Sequence, residues 1–223
     1  MSQELKIENG VYVGPEVWEG DLDLRNNTEI KSLGKLKVVA GGLNAKGVSA
    51  LCDLGCLEEV GGYIGVVSAD LDIRGTSVQS LGSLKKVRGY LDAEGVSTLR
   101  DLGCLGEVGG YTDIRGTNVR SLGSLKNVGV SLDAERVSTL CDLGCLGEVG
   151  RWLDIRGTSV RSLGSLEKVG TFFKLDGSSS RVPYEDFLKD LEALRNTPAE
   201  ELSTYLYDPK YSHPLYQEAL GRS

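Results

Sequence analysis

Histidine is almost missing from this sequence: His213, beside Pro214, is the only one in 223 residues, and no nucleophile signature accompanies it. Chemistry built on a histidine base next to an activated serine or cysteine therefore lacks its central residue, and His213 is expected to face solvent or cap a helix. Basic residues are also in deficit, 25 Lys and Arg against 32 Asp and Glu, giving a net charge of −7. That balance argues against direct nucleic-acid binding, in which clustered cations on the protein supply most of the affinity for phosphate backbones. It favours a protein partner with a basic surface.

No run of 18 apolar residues occurs, and the first eight residues are polar and charged. Neither a membrane span nor an export signal is expected, and the expected setting is the cytoplasm. Gly-Lys-Ser and Gly-Lys-Thr do not occur, so the 30 glycines include no phosphate-cradling loop of that type. No cofactor is indicated.

What the chain has instead is repetition. Leu-Asp-Ile-Arg-Gly-Thr begins at Leu71, with copies at Thr112 and Leu153, and the sister unit Leu-Asp-Ala-Glu-Gly-Val begins at Leu91, with a near copy at Leu132. The steps are 20, 21, 20 and 21 residues, a period that belongs to a solenoid. Each unit is one coil of a stack.

Within the coil at Leu71 the apolar positions are Leu71, Ile73, Val78, Leu81, Leu84 and Val87. The first two are spaced as in a strand with one buried face, and the later ones by about three, as in an irregular return segment. Ala93 stands in the sister coil where Ile73 stands in this one, so large and small residues would alternate from layer to layer. Glycine pairs such as Gly41-Gly42 and Gly109-Gly110 would turn the corner into the strand.

The five cysteines follow the same repeat: Cys56, Cys104 and Cys145 hold the place of Ser83, Ser124 and Ser165 in alternate coils, while Cys52 and Cys141 lie four residues before a second cysteine. Cysteines two coils apart would be separated by about twice the ~4.8 Å strand spacing, too far for a disulfide. They read as reduced, half-buried packing residues, and Cys-x-x-x-Cys is a weak metal signal.

The pattern Leu22, Leu24, Asn27, Ile30, Leu33, Leu36 resembles leucine-rich repeats of the short bacterial type, and the Val-Gly-Gly joins are similar to those of receptor L-domain β-solenoids. The resemblance covers residues 22–176 and implies a parallel sheet of short strands with a role in binding other macromolecules, bacterial or phage in style. The asparagine of that family stands only at Asn27; Thr76, Thr117 and Thr158, or Val48, Val96 and Val137, replace it elsewhere. A curved horseshoe and a straighter β-solenoid both remain open.

Strand alternation sends the residues beside Leu71 and Ile73 outward, and three surface columns follow. The middle column reads Asp23, Asn44, Asp72, Asp92, Asp113, Asp133, Asp154. One flank reads Arg25, Lys46, Arg74, Glu94, Arg115, Glu135, Arg156, and the other Gly42, Asp70, Tyr90, Tyr111, Ser131, Trp152, Phe172. Tyr, Trp and Arg dominate interface energetics, so Tyr90, Tyr111, Trp152, Phe172, Arg74, Arg115, Arg156, Asp72, Asp113 and Asp154 form the candidate partner-binding set. A purely structural ion ladder roofed by aromatics is the alternative for the same residues.

The coil rhythm slips at residues 64–70, which read as an insertion or truncated coil. Residues 1–21, with Val11, Val13, Val17 and Trp18, read as an N-terminal cap, 22–176 as the solenoid and 177–223 as a helical C-terminal cap or partner-binding tail. There, one helix is expected from Pro183 through Leu194 with Phe187, Leu188, Leu191 and Leu194 inward. A second would start at Thr197-Pro-Ala-Glu200, and a third at Ser212.

Carboxylates recur in every coil in like surroundings, whereas catalysis needs a pair with unequal ones. The chain therefore reads as a non-enzymatic protein-protein interaction module. The alternatives are an acidic nucleic-acid mimic or inhibitor in a basic groove and, as a minor reading, a carbohydrate-active β-helix.

Overall fold

The computed structural model describes residues 3–62, 69–175, 183–196 and 213–220, and these form a parallel β-solenoid closed by helices at its C-terminal end. The expected second helix at 197–200, and residues 64–68 of the expected insertion, lie outside the described residues.

A hairpin of β1 (Ile7–Glu8) and β2 (Val11–Tyr12) opens the chain, turning through Asn9 and Gly10 with φ of 52° and 81°. Asn-Gly is the dipeptide that favours such a tight turn. Tyr12 and Trp18 fill the first layer, their ring centroids 6.5 Å apart, while Val11 and Val17 of the same segment are exposed.

Each coil then contributes two strands rather than the one expected. One parallel eight-stranded sheet, hereafter the front sheet, contains β4 (Leu22–Asp23), β6 (Leu43–Asn44), β8 (Leu71–Asp72), β10 (Leu91–Asp92), β12 (Thr112–Asp113), β14 (Leu132–Asp133), β16 (Trp152–Asp154) and β18 (Phe172–Lys174) in that order. The back sheet contains β3 (Val17–Trp18), β5 (Val38–Val39), β7 (Glu59–Val60), β9 (Lys86–Val87), β11 (Glu107–Val108), β13 (Asn127–Val128), β15 (Glu148–Val149) and β17 (Lys168–Val169). A third edge is joined by bridges such as Ser80 to Asp101 and Ser121 to Asp142. The return segment looked irregular because the back strands are two residues long, too short for an alternating pattern to register.

The interior is as the spacing predicts. Leu71, Ile73, Val78, Leu81, Leu84 and Val87 are all fully buried, and Ile73, Ala93, Ile114, Ala134 and Ile155 alternate in successive layers. Thr112 takes a position that Leu holds in the neighbouring coils; its Oγ1 is buried and finds no partner among the described residues.

Two glycine columns permit this stacking. At Gly103 φ is +57° and an added Cβ would come 2.3 Å from the Gly82 carbonyl oxygen; at the Gly129 corner it would come 2.2 Å from that of Gly109. Any side chain there would force adjacent coils apart.

Thr76, Thr117 and Thr158, at the place Asn27 holds in the first coil, donate to the carbonyls of Ile73, Ile114 and Ile155 in their own coils. Links between coils come instead from Thr98 to Val78 O and Thr139 to Val119 O, both 2.8 Å, and from Asn118 to Ser97 O at 2.6 Å.

At the far end α1 (Tyr184–Asn196) buries Tyr184, Phe187, Leu191 and Leu194 against the last coil, leaving Leu188 40% exposed rather than inward. The short helix α2 (Pro214–Ala219) is capped by His213, whose Nδ1 accepts the Leu215 N–H. His213 is buried, so capping is its role and solvent exposure is not.

Candidate functional site

The front sheet carries the three expected columns. In the first seven strands the middle column is Asp or Asn because of the turn that follows: a side-chain oxygen accepts the N–H two residues on, in Asp23, Asn44, Asp72, Asp92, Asp113, Asp133 and Asp154 alike. This is an Asx turn, and it explains the recurrence without reference to any ligand.

The basic flank neutralises much of that row. Arg74 holds Asp72 at 2.6 Å and, one coil on, Asp92 at 2.9 Å. Arg115 holds Asp113 at 2.5 Å and reaches back to Glu94 at 3.1 Å, while Arg156 lies 2.7 Å from Asp154 and 3.0 Å from Glu135. Arg74, Arg115 and Arg156 thus each meet a carboxylate on a neighbouring coil as well as the one on their own, whereas Arg25 holds only Asp23 of its own coil among the described ion pairs.

The row grows more enclosed along the stack. The Asp23 side chain is 49% exposed, that of Asp113 5% and that of Asp154 0%. The aromatic flank supplies the cover. Tyr111 and Trp152 meet at 5.7 Å across the small, buried Ser131, and Trp152 stacks on Phe172 at 6.2 Å with 3° between ring planes. The Tyr111 hydroxyl lies 3.3 Å from Asp113 and 3.2 Å from Asp133.

Burial shifts several of these groups. It raises the pKa of Asp92 and of Asp133 above the usual carboxylate range, and it raises that of Tyr111 further, with the nearby Asp133 charge adding to the effect. Asp154 goes the other way. Burial opposes its charge, but hydrogen bonds from Arg156 and Lys174 together outweigh that cost and hold it below the usual range. At open Asp23 the Arg25 fork lowers the pKa to about 2.

Lys174 was missed by the sequence reading, which ended the column at Asp154. Its Nζ lies 3.0 Å from Asp154 Oδ2 and 4.6 Å from the centre of the Trp152 ring. The twenty-residue step from Trp152-Leu153-Asp154 to Phe172-Phe173-Lys174, paired strand to strand, was the available signal.

The candidate residues thus share one face but differ in what they offer. Asp154 has no exposed surface, Asp113 almost none, and Arg74, Arg115 and Arg156 are engaged within the sheet. Tyr111, Trp152 and Phe172 are half-buried. Tyr90 is 52% exposed and lies over Gly110, where an added Cβ would come 2.1 Å from its ring.

Next to Tyr90 the face is concave. Gly42 has no side chain to fill the aromatic column, and a groove of about 460 Å³ opens there, walled on one side by Tyr90 and Tyr111. Asp21, Asp23, Asp70, Asp72 and Asp92 also line it, with Arg74 as the one basic residue among the described lining residues. Asp21 and Asp70 are fixed as their Oδ1 atoms accept the N–H groups of Gly42 and Tyr90 at 2.8 and 2.7 Å. No sequence signal marked this groove, because it arises from a missing side chain.

The five cysteines are solvent-exposed free thiols, not half-buried packing residues. Cys56, Cys104 and Cys145 lie at the turn after the third edge, where alternate coils carry serine, while Cys52 and Cys141 directly precede the edge residues Asp53 and Asp142. Among the described residues no helix is long and apolar enough to cross a membrane. Comparison of the chain with family models, with curated proteins and with solved structures finds no match in any of the three.

Proposed function

We propose that this protein is a non-enzymatic binding module, leucine-rich-repeat-like in the manner of short bacterial or phage repeats, which holds a partner protein with a basic surface against its front sheet. The observation that carries the reading is the groove beside Tyr90, where the exposed Tyr90 and the half-buried Tyr111 face a lining that carries five aspartates and one arginine. Aromatic and arginine anchors dominate interface energetics, with the other charges concentrated at the rim.

The nucleic-acid mimic requires a long unneutralised acidic row. Arg74, Arg115, Arg156 and Lys174 pair with the later aspartates, which lends that reading less support. Five exposed thiols accord with a reducing, cytoplasmic setting.

The test is quantitative capture from source-cell lysate by the wild-type protein and by a folded Tyr90→Ala/Tyr111→Ala variant, compared by mass spectrometry. Proteins with basic surfaces should be retained by the first and lost from the second. Identical captured sets would remove the front sheet from the account.

A further inference from the structure

The protein contains its own example of how the front sheet holds a cation. At the C-terminal end of the face, Lys174 places its ammonium 3.0 Å from Asp154, 4.6 Å from the Trp152 ring centre and 5.8 Å from that of Phe172. Its contacts are drawn from two columns: a carboxylate from the middle row and ring faces from the aromatic flank. An ammonium so placed gains from the ring quadrupole as well as from the opposite charge.

The same two columns pass through the groove. Tyr90 and Tyr111 stand in register with the positions of Trp152 and Phe172, and Asp72 and Asp92 with that of Asp154. Among the described residues no lysine lines the groove and Arg74 is its one basic lining residue, bridging Asp72 and Asp92, while Arg25 holds Asp23 at its margin. Asp21 and Asp70 add carboxylates whose Oδ1 atoms are engaged by backbone N–H groups. The lining therefore combines five carboxylates, one guanidinium and two rings in an open concavity.

We infer that this groove receives a lysine side chain from a basic segment of the partner, its ammonium lying between the Tyr90 ring and the aspartates as Lys174 lies between Trp152 and Asp154. The inference rests on the proposed protein-binding role and specifies its anchor. Acetylating that lysine abolishes capture, since it removes the charge and leaves the carboxylates facing a neutral amide.

The experiment is a titration of ¹⁵N-labelled full-length protein with a Gly/Ser peptide bearing three lysines, repeated with the same peptide Nε-acetylated and with a neutral cello-oligosaccharide. Amide shifts centred on Tyr90, Asp92 and Tyr111 with the lysine peptide and none with the acetylated one are expected. Tyr90→Ala and, separately, Asp70→Asn, which keeps an acceptor for the Tyr90 N–H, should each weaken binding by roughly tenfold.

Equal binding of the acetylated peptide, shifts scattered over all three faces, or a response to the oligosaccharide alone would overturn the assignment. Should the peptide fail while Tyr90→Ala/Tyr111→Ala still loses a protein from lysate, the lysine site falls and the binding face stands.

Discussion

At the scale of single residues, chemically identical aspartates do opposite things according to their cover. Asp133 and Asp154 sit one coil apart, both accepting the turn N–H, yet burial dominates at Asp133 and raises its pKa, whereas Arg156 and Lys174 overcome burial at Asp154 and lower it. A raised folded-state pKa favours folding only while the group is protonated, so ionised Asp133 is a cost at neutral pH. Asn44 already shows that an amide can serve the turn. Asp133→Asn should thus raise the melting midpoint at about pH 7 by roughly 1 to 3 °C, a gain that vanishes as acid protonates the wild-type carboxyl. Asp154→Asn should cost on the order of 3 kcal/mol at the same pH, because two cations lose a buried carboxylate. That defect shrinks as pH falls toward the depressed pKa of Asp154. Thermal melts of both variants at neutral and acidic pH check the pair; shifts of the same sign would contradict the assigned environments.

At the scale of the element, the unit of construction is two coils rather than one. Arg74, Glu94, Arg115, Glu135 and Arg156 alternate on the front sheet, and Lys86 pairs with Glu107 at 2.7 Å and Lys168 with Glu148 at 2.6 Å on the back sheet. On the third edge Ser80 donates to Asp101 and Ser121 to Asp142, and serine or aspartate alike then accepts the N–H of the turn glycine. Excising residues 91–131 preserves the alternation, bringing the Glu135 coil onto the Arg74 coil. Excising 91–111 alone sets Arg115 beside Arg74 and Ser121 beside Ser80, where like charges in register destabilise the sheet. The two-coil deletion is expected to melt at least 5 °C above the one-coil deletion despite its shorter stack, as circular dichroism would show; the reverse order would refute complementarity between coil types. The interior and the front-sheet columns were legible in the sequence because period-two alternation and a fixed repeat assign each side chain a direction. The back sheet was not, since strands such as Lys86–Val87 are too short to show a period. Nor was the groove, because Gly42 contributes to it only by having nothing to place there.

At the scale of the whole molecule, each coil contacts only its neighbours, so stability is the sum of local interfaces and the terminal ones must be covered. The C-terminal cover converges on Phe187, whose ring lies 4.8 Å from Phe173 of the last coil and 5.4 Å from Tyr216 of α2. Tyr184 adds a hydrogen bond to the Leu166 carbonyl at 2.9 Å, and His213 Nε2 lies 3.2 Å from the Ile155 carbonyl. Truncating Phe187 to alanine removes a ring that touches the coil and both helices, a loss of about 3 to 5 kcal/mol for a buried phenylalanine. In a globular core that loss would spread through the fold; in a stack it stays where it is made. Phe187→Ala is therefore expected to raise amide hydrogen exchange in α1, α2 and the strands at Trp152–Asp154 and Phe172–Lys174. The strands from Leu22 to Asp92 should keep their protection, and the Tyr90 groove, separated from the cap by several coils, should keep its affinity for the lysine peptide. Uniform deprotection along the chain would mean that the coils melt as one cooperative body, and the capped-stack account of this protein would have to be abandoned.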